Sequence, residues 1–299
     1  MSILITGING FVGKNLSQYL QLNHLEFKEL NLRSQPEENI SDGVTTIIHL
    51  AGKAHDLKKS SVPKDYFDAN FELTKKLYIS FLNSNAEKFI FISSVKAAAD
   101  QVRGVLTEDV VPSPQTHYGK SKLLAEQFIQ DQQLPSWKSY YILRPCMIHG
   151  PGNKGNLNLL YQFIKKGIPY PLAAFHNKRS FLSIENLCYI IKELALRNGV
   201  KSGIYQIADE EALSTNEVLT IISNSLDIKL RLWKLSPFII KLLAKVGDWI
   251  HLPLTTERLS KLTESYIVSN YKVKQALKAQ MPLTAVEGLR ITAKAFIKA

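Results

Sequence analysis

Tyr118 and Lys122 stand four residues apart, and Ser94 closes an apolar run upstream of them. On a helix that spacing puts both side chains on one face, so the ammonium can lie beside the phenol and favour its ionised form. A phenol that titrates near pH 10 must have its pKa lowered by about 3, equivalent to ~4 kcal/mol of differential stabilisation, to trade a proton at neutral pH. A serine hydroxyl beside it can hold the oxygen that gains or loses that proton. Proton transfer at a carbon–oxygen centre is the chemistry this trio fits. The spacing alone is unspecific, because Tyr161 and Lys165 repeat it inside an ordinary helical stretch. Only the first pair opens a helix that follows a strand ending in a hydroxyl.

A second group lies at the start of the chain, in Ile5-Thr6-Gly7-Ile8-Asn9-Gly10-Phe11-Val12-Gly13. Glycines at 7, 10 and 13 between a strand and a helix allow a tight turn, close approach of backbone to a pyrophosphate, and close helix–strand packing. That context predicts dinucleotide binding. The second strand ends at Leu30, where NAD-binding chains place an acid for the ribose 2′-hydroxyl, whereas here Asn31 and Arg33 follow. An arginine suits a 2′-phosphate, so the expected cofactor is NADP or NAD, with NADP favoured. A bound positive nicotinamide would join Lys122 in lowering the Tyr118 pKa.

The elements that must position these residues alternate. Ser2 to Thr6, Leu25 to Leu30, Thr45 to Leu50, Lys88 to Ser93 and Lys138 to Arg144 read as strands. Phe11 to Leu22, Lys64 to Asn85 and Tyr118 to Gln132 read as helices, so the expected fold class is α/β, a doubly wound parallel sheet with a smaller C-terminal substrate-binding α/β region. Residues 1–155 are expected to form the dinucleotide-binding domain and 156–299 mainly the substrate region, with some segments returning to the sheet. Asn31 to Gly43 has no helical period, which predicts a loop-like crossover there. The stretch Phe238 to Ile250 is too short and too charged to span a bilayer. Its Ile239, Leu242, Leu243, Val246 and Ile250 follow a helical period and are expected to face the core, with a membrane-surface role as the alternative.

With 299 residues, 45% apolar and 21% charged, the chain is an ordinary globular one, and its formal charge of +11 is scattered rather than blocked. Cys146 and Cys188 lack metal-ligand spacing and disulfide density, so buried thiols, a reducing cytoplasm and no metal are expected. The first strand starts at Ser2 and leaves no room for a leader, which agrees with a cytoplasmic setting. His49, His55 and His117 are given no role.

Taken together, these residues resemble the extended short-chain dehydrogenases, the NAD-dependent epimerase/dehydratase group. The matching segments are Thr6–Gly13, His49–Gly52, Asn70–Thr74, Phe91–Ser94, Pro114–Lys122, Arg144–Gly152 and Arg179–Asn186, in the family's order. Leu283 to Leu289 resembles the family's closing segment. The resemblance implies a Rossmann fold and gives Ser94 the sugar oxygen, Tyr118 the acid/base role, and Lys122 the nicotinamide ribose. It sets Pro145 against the nicotinamide, lines the dinucleotide groove with Ala51 and Gly52, and gives Arg179 the diphosphate of a nucleotide-sugar, with Asn156 a further substrate contact. Arginine suits that task through bidentate contacts to phosphate oxygens.

Sugar 4,6-dehydratases of this group carry an Asp-Glu pair after the strand-end hydroxyl, but Val95 and Lys96 follow Ser94 here. That leaves hydride transfer at sugar C4. Ser93-Ser94-Val95-Lys96, Pro151 to Asn156 and Ala174 to Ser180 look most like the branch reducing UDP-4-keto-6-deoxy-N-acetylhexosamines for surface polysaccharides; a UDP-sugar 4-epimerase is the alternative. The resemblance also implies a homodimer through Lys64–Asn85 and Tyr118–Gln132. A non-catalytic nucleotide sensor would not be expected to keep Ser94, Tyr118 and Lys122 together, and RNA binding has only the net charge in its favour.

Overall fold

Strands that are apolar at nearly every position need cover on both faces, which a parallel sheet with crossover helices provides. The computed structural model describes residues 2–32, 40, 42–53, 62–153, 156–250 and 255–297. The first half runs β1 (Ser2–Thr6), α1 (Phe11–Leu22), β2 (Phe27–Leu30), β3 (Val44–His49), α2 (Pro63–Phe67), a π-helical turn (Asp68–Glu72), α3 (Leu73–Leu82) and β4 (Lys88–Ile92). After these come β5 (Val105–Leu106), α4 (His117–Asp131), β6 (Ser139–Pro145), β7 (Met147–His149), α5 (Asn156–Lys165), β8 (Arg179–Ser183) and α6 (Ile184–Leu196). The chain ends with β9 (Gly203–Ile207), β10 (Ala212–Leu213), α7 (Thr215–Leu226), α8 (Pro237–Ile250), α9 (Thr256–Thr263), β11 (Ile267–Val268), α10 (Tyr271–Leu277) and α11 (Ala285–Ala295). The expected loop-like crossover between β2 and β3 lies largely outside the described residues.

Six strands form one parallel sheet in the order β2-β1-β3-β4-β6-β9. Alternation sorts each apolar run between two cores. Ile3, Ile5, Ile90 and Ile92 turn to the side covered by α1 and α6, while Leu4, Ile47, Phe89 and Phe91 turn to the side covered by α3 and α4. Both cysteines are free and buried. Two buried lysines finish helix ends. Lys138 donates to the carbonyls of Phe81, Ser84 and Ala86 beyond α3, and Lys88 to those of Ala195 and Arg197 at the end of α6, where the helix leaves carbonyls unpaired.

A third core joins β8 with α5, α7, α8, α9 and α11 through residues such as Leu157, Phe181, Leu219, Ile240, Leu259 and Leu289. Capping boxes, Ser214 with Glu217 and Thr284 with Glu287, start α7 and α11. The expectation for α8 is corrected here. Ile239, Leu242, Leu243 and Val246 are exposed, and the helix is seated through Ile240, Ala244 and Gly247. Periodicity shows that a helix has an apolar face but not that anything covers it; α8 packs by its narrow stripe of smaller residues. Among the described residues, no helix is long and apolar enough to cross a membrane.

Candidate active site

The carboxyl ends of β1, β3, β4 and β6 meet at one edge of the sheet, and the chain reverses its order of strands between β1 and β3, where ligands of doubly wound sheets sit. Gly7 leaves β1 with φ +73°, and a Cβ there would lie 2.6 Å from the Ala51 nitrogen. No L side chain fits that turn. A Cβ at Gly13 would lie 2.4 Å from the Gly7 carbonyl oxygen, so the start of α1 presses on the turn. Gly10 caps α1 with no side-chain hydrogen bond and no acid occupies the first turn, so the helix presents backbone N–H groups and positive potential to the groove. These features fit a dinucleotide pyrophosphate. The adjoining groove, about 850 Å³, is lined by Gly7, Asn9, Gly10, Asn31, Ala51 and Gly52 among others. Phe11, Val12 and Gly13 form the opening turn of α1 beside it.

Glu29 also lines this groove and accepts a hydrogen bond from the Asn9 amide at 3.4 Å. An acid thus stands on β2 itself, two residues before Asn31, where the sequence pattern points to none. Its signal is hidden because an exposed acid on a short strand looks like ordinary solvent-facing polarity. Arg33 lies outside the described residues, as does His55.

Ser94 follows β4 and caps the short turn Val95–Ala97, its hydroxyl accepting from the Lys96 amide at 3.2 Å. Tyr118 stands in the first turn of α4, which Thr116 caps through the Gly119 amide. The two elements bring Ser94 and Tyr118 into a side-chain hydrogen bond. The expected lowering of the Tyr118 pKa by Lys122 is corrected here: burial pushes the phenol above its ordinary pKa, the Ser94 hydrogen bond draws it only partly back, and the Lys122 ammonium is turned to the Ile92 carbonyl. Lys122, one turn along α4, is buried; its Nζ donates to the Ile92 carbonyl at 2.9 Å and lies 4.8 Å from the centre of the Phe91 ring. Desolvation pushes the Lys122 pKa down to about 8, against the opposing pull of Glu126.

Gly52 is where this trio borders the groove. A Cβ at Gly52 would lie 3.3 Å from Lys122 Nζ and 2.6 Å from Asn70 Oδ1. Asn70 is fully buried in the π-helical turn; it accepts from the Lys53 amide at 2.8 Å and donates to the Lys53 carbonyl at 3.1 Å and the Ser121 hydroxyl at 3.0 Å. It therefore ties the loop after β3 to α4. Sequence reasoning gives Asn70 no role, because a single asparagine in a helical stretch carries no local sign of partners on two other elements.

Pro145 ends β6, buried at the same edge, and the Ser93 amide donates to the Leu143 carbonyl at 2.8 Å. Arg179 opens β8, half-buried, with Nε donating to the Glu264 carbonyl at 3.1 Å. Its bridge partner Tyr266 donates to the Ala99 carbonyl at 2.7 Å, which brings Arg179 close to the turn that follows Ser94. Asn156 opens α5, and its side chain lies outside the described residues. Val95 is buried and Lys96 donates to the Asp100 carbonyl, so no acid pair stands next to Ser94. His49 is buried between the Thr6 and Thr74 hydroxyls, and desolvation lowers its pKa to about 3, which leaves it a neutral structural group. Tyr161 is buried in the third core and stacks on Phe296 at 5.0 Å.

Comparison with known proteins agrees with this geometry. The sequence pattern described as the NAD dependent epimerase/dehydratase family matches residues 3–208. The chain is 29% identical to UDP-glucose 4-epimerase of Vibrio cholerae, across 100% of this chain and 96% of that protein. It is 28% identical to N-acetyl-alpha-D-glucosaminyl-diphospho-ditrans,octacis-undecaprenol 4-epimerase of Escherichia coli O157:H7, across 92% and 85% of the two chains. The structure of RMD from Pseudomonas aeruginosa complexed with NADPH superposes with a TM-score of 0.76 over 99% of each chain, at 19% identity, a likeness of fold.

Proposed function

The chain belongs to the NAD dependent epimerase/dehydratase family, and from that premise we propose that it is a 4-ketoreductase acting on a UDP-4-keto-6-deoxy-N-acetylhexosamine in surface polysaccharide synthesis. The observation that carries the reading is the placement of Ser94 after β4 and of Tyr118 and Lys122 on the first turns of α4, with Lys122 Nζ bordering the dinucleotide groove at Gly52. A protonated phenol beside a hydroxyl that can hold the same oxygen is placed to give up its proton as a ketone is reduced, and the nearby Lys122 ammonium favours the phenolate left behind. A reduced nicotinamide, when bound, would supply the hydride that the carbonyl carbon takes up. Tyr118 gives its proton to the oxygen that becomes the alkoxide, and Ser94 holds the same oxygen by hydrogen bonding. Lys122, at the Gly52 border of the groove, holds the ribose beside Tyr118, and Pro145 bounds the nicotinamide pocket. On the substrate side Arg179 takes the diphosphate with its two terminal nitrogens, Nε being committed to Glu264. Asn156 contributes from the start of α5, and residues 156–299 act mainly in substrate binding.

Both curated relatives carry 4-epimerase names, which supports a second reading, a UDP-sugar 4-epimerase. The same Tyr118 would then accept a proton and return it to the other face of the sugar. Absorbance at the reduced-nicotinamide band separates the two. Stoichiometric loss on adding the keto-sugar is the expected result; retained cofactor, with interconversion of UDP-sugars and no net consumption, would replace the reductase by the epimerase.

The pH dependence follows from the neighbouring lysine. Burial pushes Lys122 down to about 8, so its positive charge is present below that pH and is lost as pH rises through it. Tyr118 is shifted the opposite way and keeps its proton over the same window. The profile of kcat/KM for the cofactor, which reports groups of the free enzyme, should therefore fall above about pH 8. In Lys122→Met that alkaline limb should be absent and the rate low throughout. A limb that persisted unchanged in the variant would assign it to another group.

The cofactor is a nicotinamide dinucleotide, and in this reading Arg33 favours the 2′-phosphate of NADPH while Glu29 opposes it. Arg33→Ala is expected to raise KM for NADPH about tenfold, equivalent to ~1.4 kcal/mol, with little change for NADH. Equal effects on both cofactors in steady-state kinetics would remove Arg33 from the site. The enzyme is taken to be a homodimer through α2, α3 and α4, which pack on one another and expose Ile79 and Leu124.

A further inference from the structure

An exposed apolar helix face costs solvation free energy unless something covers it. The residues from Leu232 to Trp249 carry nine exposed large apolar side chains. Six are on α8, where Phe238, Ile239, Leu242, Leu243, Val246 and Trp249 share an arc of about 140° at 100° per residue. Phe238 is 76% exposed and Trp249 84%, the two ends of the arc's length. The packed stripe of Ile240, Ala244 and Gly247 points the other way, into the third core.

The charge along this segment is predominantly positive. From Lys229 to Ile250 there are five cations, Lys229, Arg231, Lys234, Lys241 and Lys245, all exposed, and one acid, Asp248. Asp248, itself exposed, accepts from the Thr256 amide at 3.0 Å and its hydroxyl at 2.6 Å, which turns it toward α9. On the helix Lys241 and Lys245 flank the edge of the arc occupied by Phe238 and Trp249.

We propose that the outer face of α8, with the segment leading into it, docks the protein on an anionic lipid bilayer. A helix of 14 residues is about 21 Å long, short of a bilayer's width, and so would lie in the interface with its apolar arc in the acyl boundary and its lysines at the headgroups. Trp249, at the C-terminal end of the apolar arc, and Trp233, in the segment leading into α8, are both exposed and of the residue type that prefers that boundary. A second copy of the chain is the poorer occupant. Symmetric pairing through α8 would set five cations against five, whereas anionic lipid neutralises them. The inference goes beyond the proposed reaction and does not depend on which sugar is reduced.

The test is co-sedimentation of the full chain with vesicles of phosphatidylglycerol and phosphatidylcholine, and with phosphatidylcholine alone. Binding to the anionic vesicles is expected, weakened at least tenfold by Phe238→Ser with Trp249→Ser and, separately, by Lys241→Glu with Lys245→Glu, and weakened by salt. Both pairs should retain the wild-type circular dichroism spectrum and the wild-type activity in solution. The proposal is overturned if the wild type ignores anionic vesicles or if the folded apolar pair binds as the wild type does. It is equally overturned if sedimentation velocity shows the apolar pair splitting a dimer, which would make α8 a subunit contact. Because binding is read without turnover, its failure is distinct from failure of the enzymatic reading.

Discussion

Tyr118→Phe is expected to lower kcat for keto-sugar reduction by about 10²–10⁴-fold, the usual worth of a positioned acid–base group. The change removes one oxygen and keeps a ring packed edge-on to Tyr66 at 6.3 Å, so folding and binding should be little disturbed. A loss confined to kcat, with KM for both substrates near the wild-type values, is the pattern of a group that acts in the transition state. Tyr161→Phe is the matched control, because Tyr161 is a core residue stacked on Phe296. If Tyr118→Phe turned over like the wild type, the proton donor would have to be sought elsewhere.

Glu126→Ala should cost ~3–5 kcal/mol of stability, the penalty for stranding one partner of a buried ion pair. Glu126 and Arg144 are both buried, and Arg144 Nε donates to the carboxylate at 3.0 and 3.1 Å while Nη2 donates to it as well. The Ser93 hydroxyl donates to Glu126 from the end of β4. Removing the carboxylate leaves a guanidinium without its counter-charge in the sheet, where Nη1 already finds no partner among the described residues. Such a loss is a large share of the roughly 5–15 kcal/mol typical of a folded domain. Urea unfolding would show it as a lower midpoint, and a shift worth under about 1 kcal/mol would mean that the pair is not the anchor of α4. Glu126→Leu with Arg144→Met removes both charges and should recover most of the stability, which separates the stranded charge from lost packing.

Those two predictions draw on different depths of the sequence. The glycine turn, Ser94 and the Tyr118–Lys122 pair are legible because each is a local pattern set beside a strand or helix that periodicity reveals. α1 spans Phe11 to Leu22, as its apolar spacing predicts. The five apolar runs become neighbouring strands because only a sheet covered on both sides accepts them. Lys64 to Asn85 reads as one helix, and the π-helical turn that interrupts it, with Asn70 at its centre, leaves no local trace.

Where the sequence is silent, the missing information is long-range. Glu126 and Arg144 form their pair because α4 and β6 return to the same sheet edge, and Asn70 reaches Lys53 and Ser121 because the turn carrying it packs beside α4. Glu29 faces the groove only because β2 pairs with β1. The alternation of strands and helices, the glycine turn and the residues able to move a proton are written in the chain, since these depend on contacts within a few residues. The tertiary structure decided which distant polar groups meet and that the apolar face of α8 points outward, because burial and pairing belong to the packing of elements and not to any one of them.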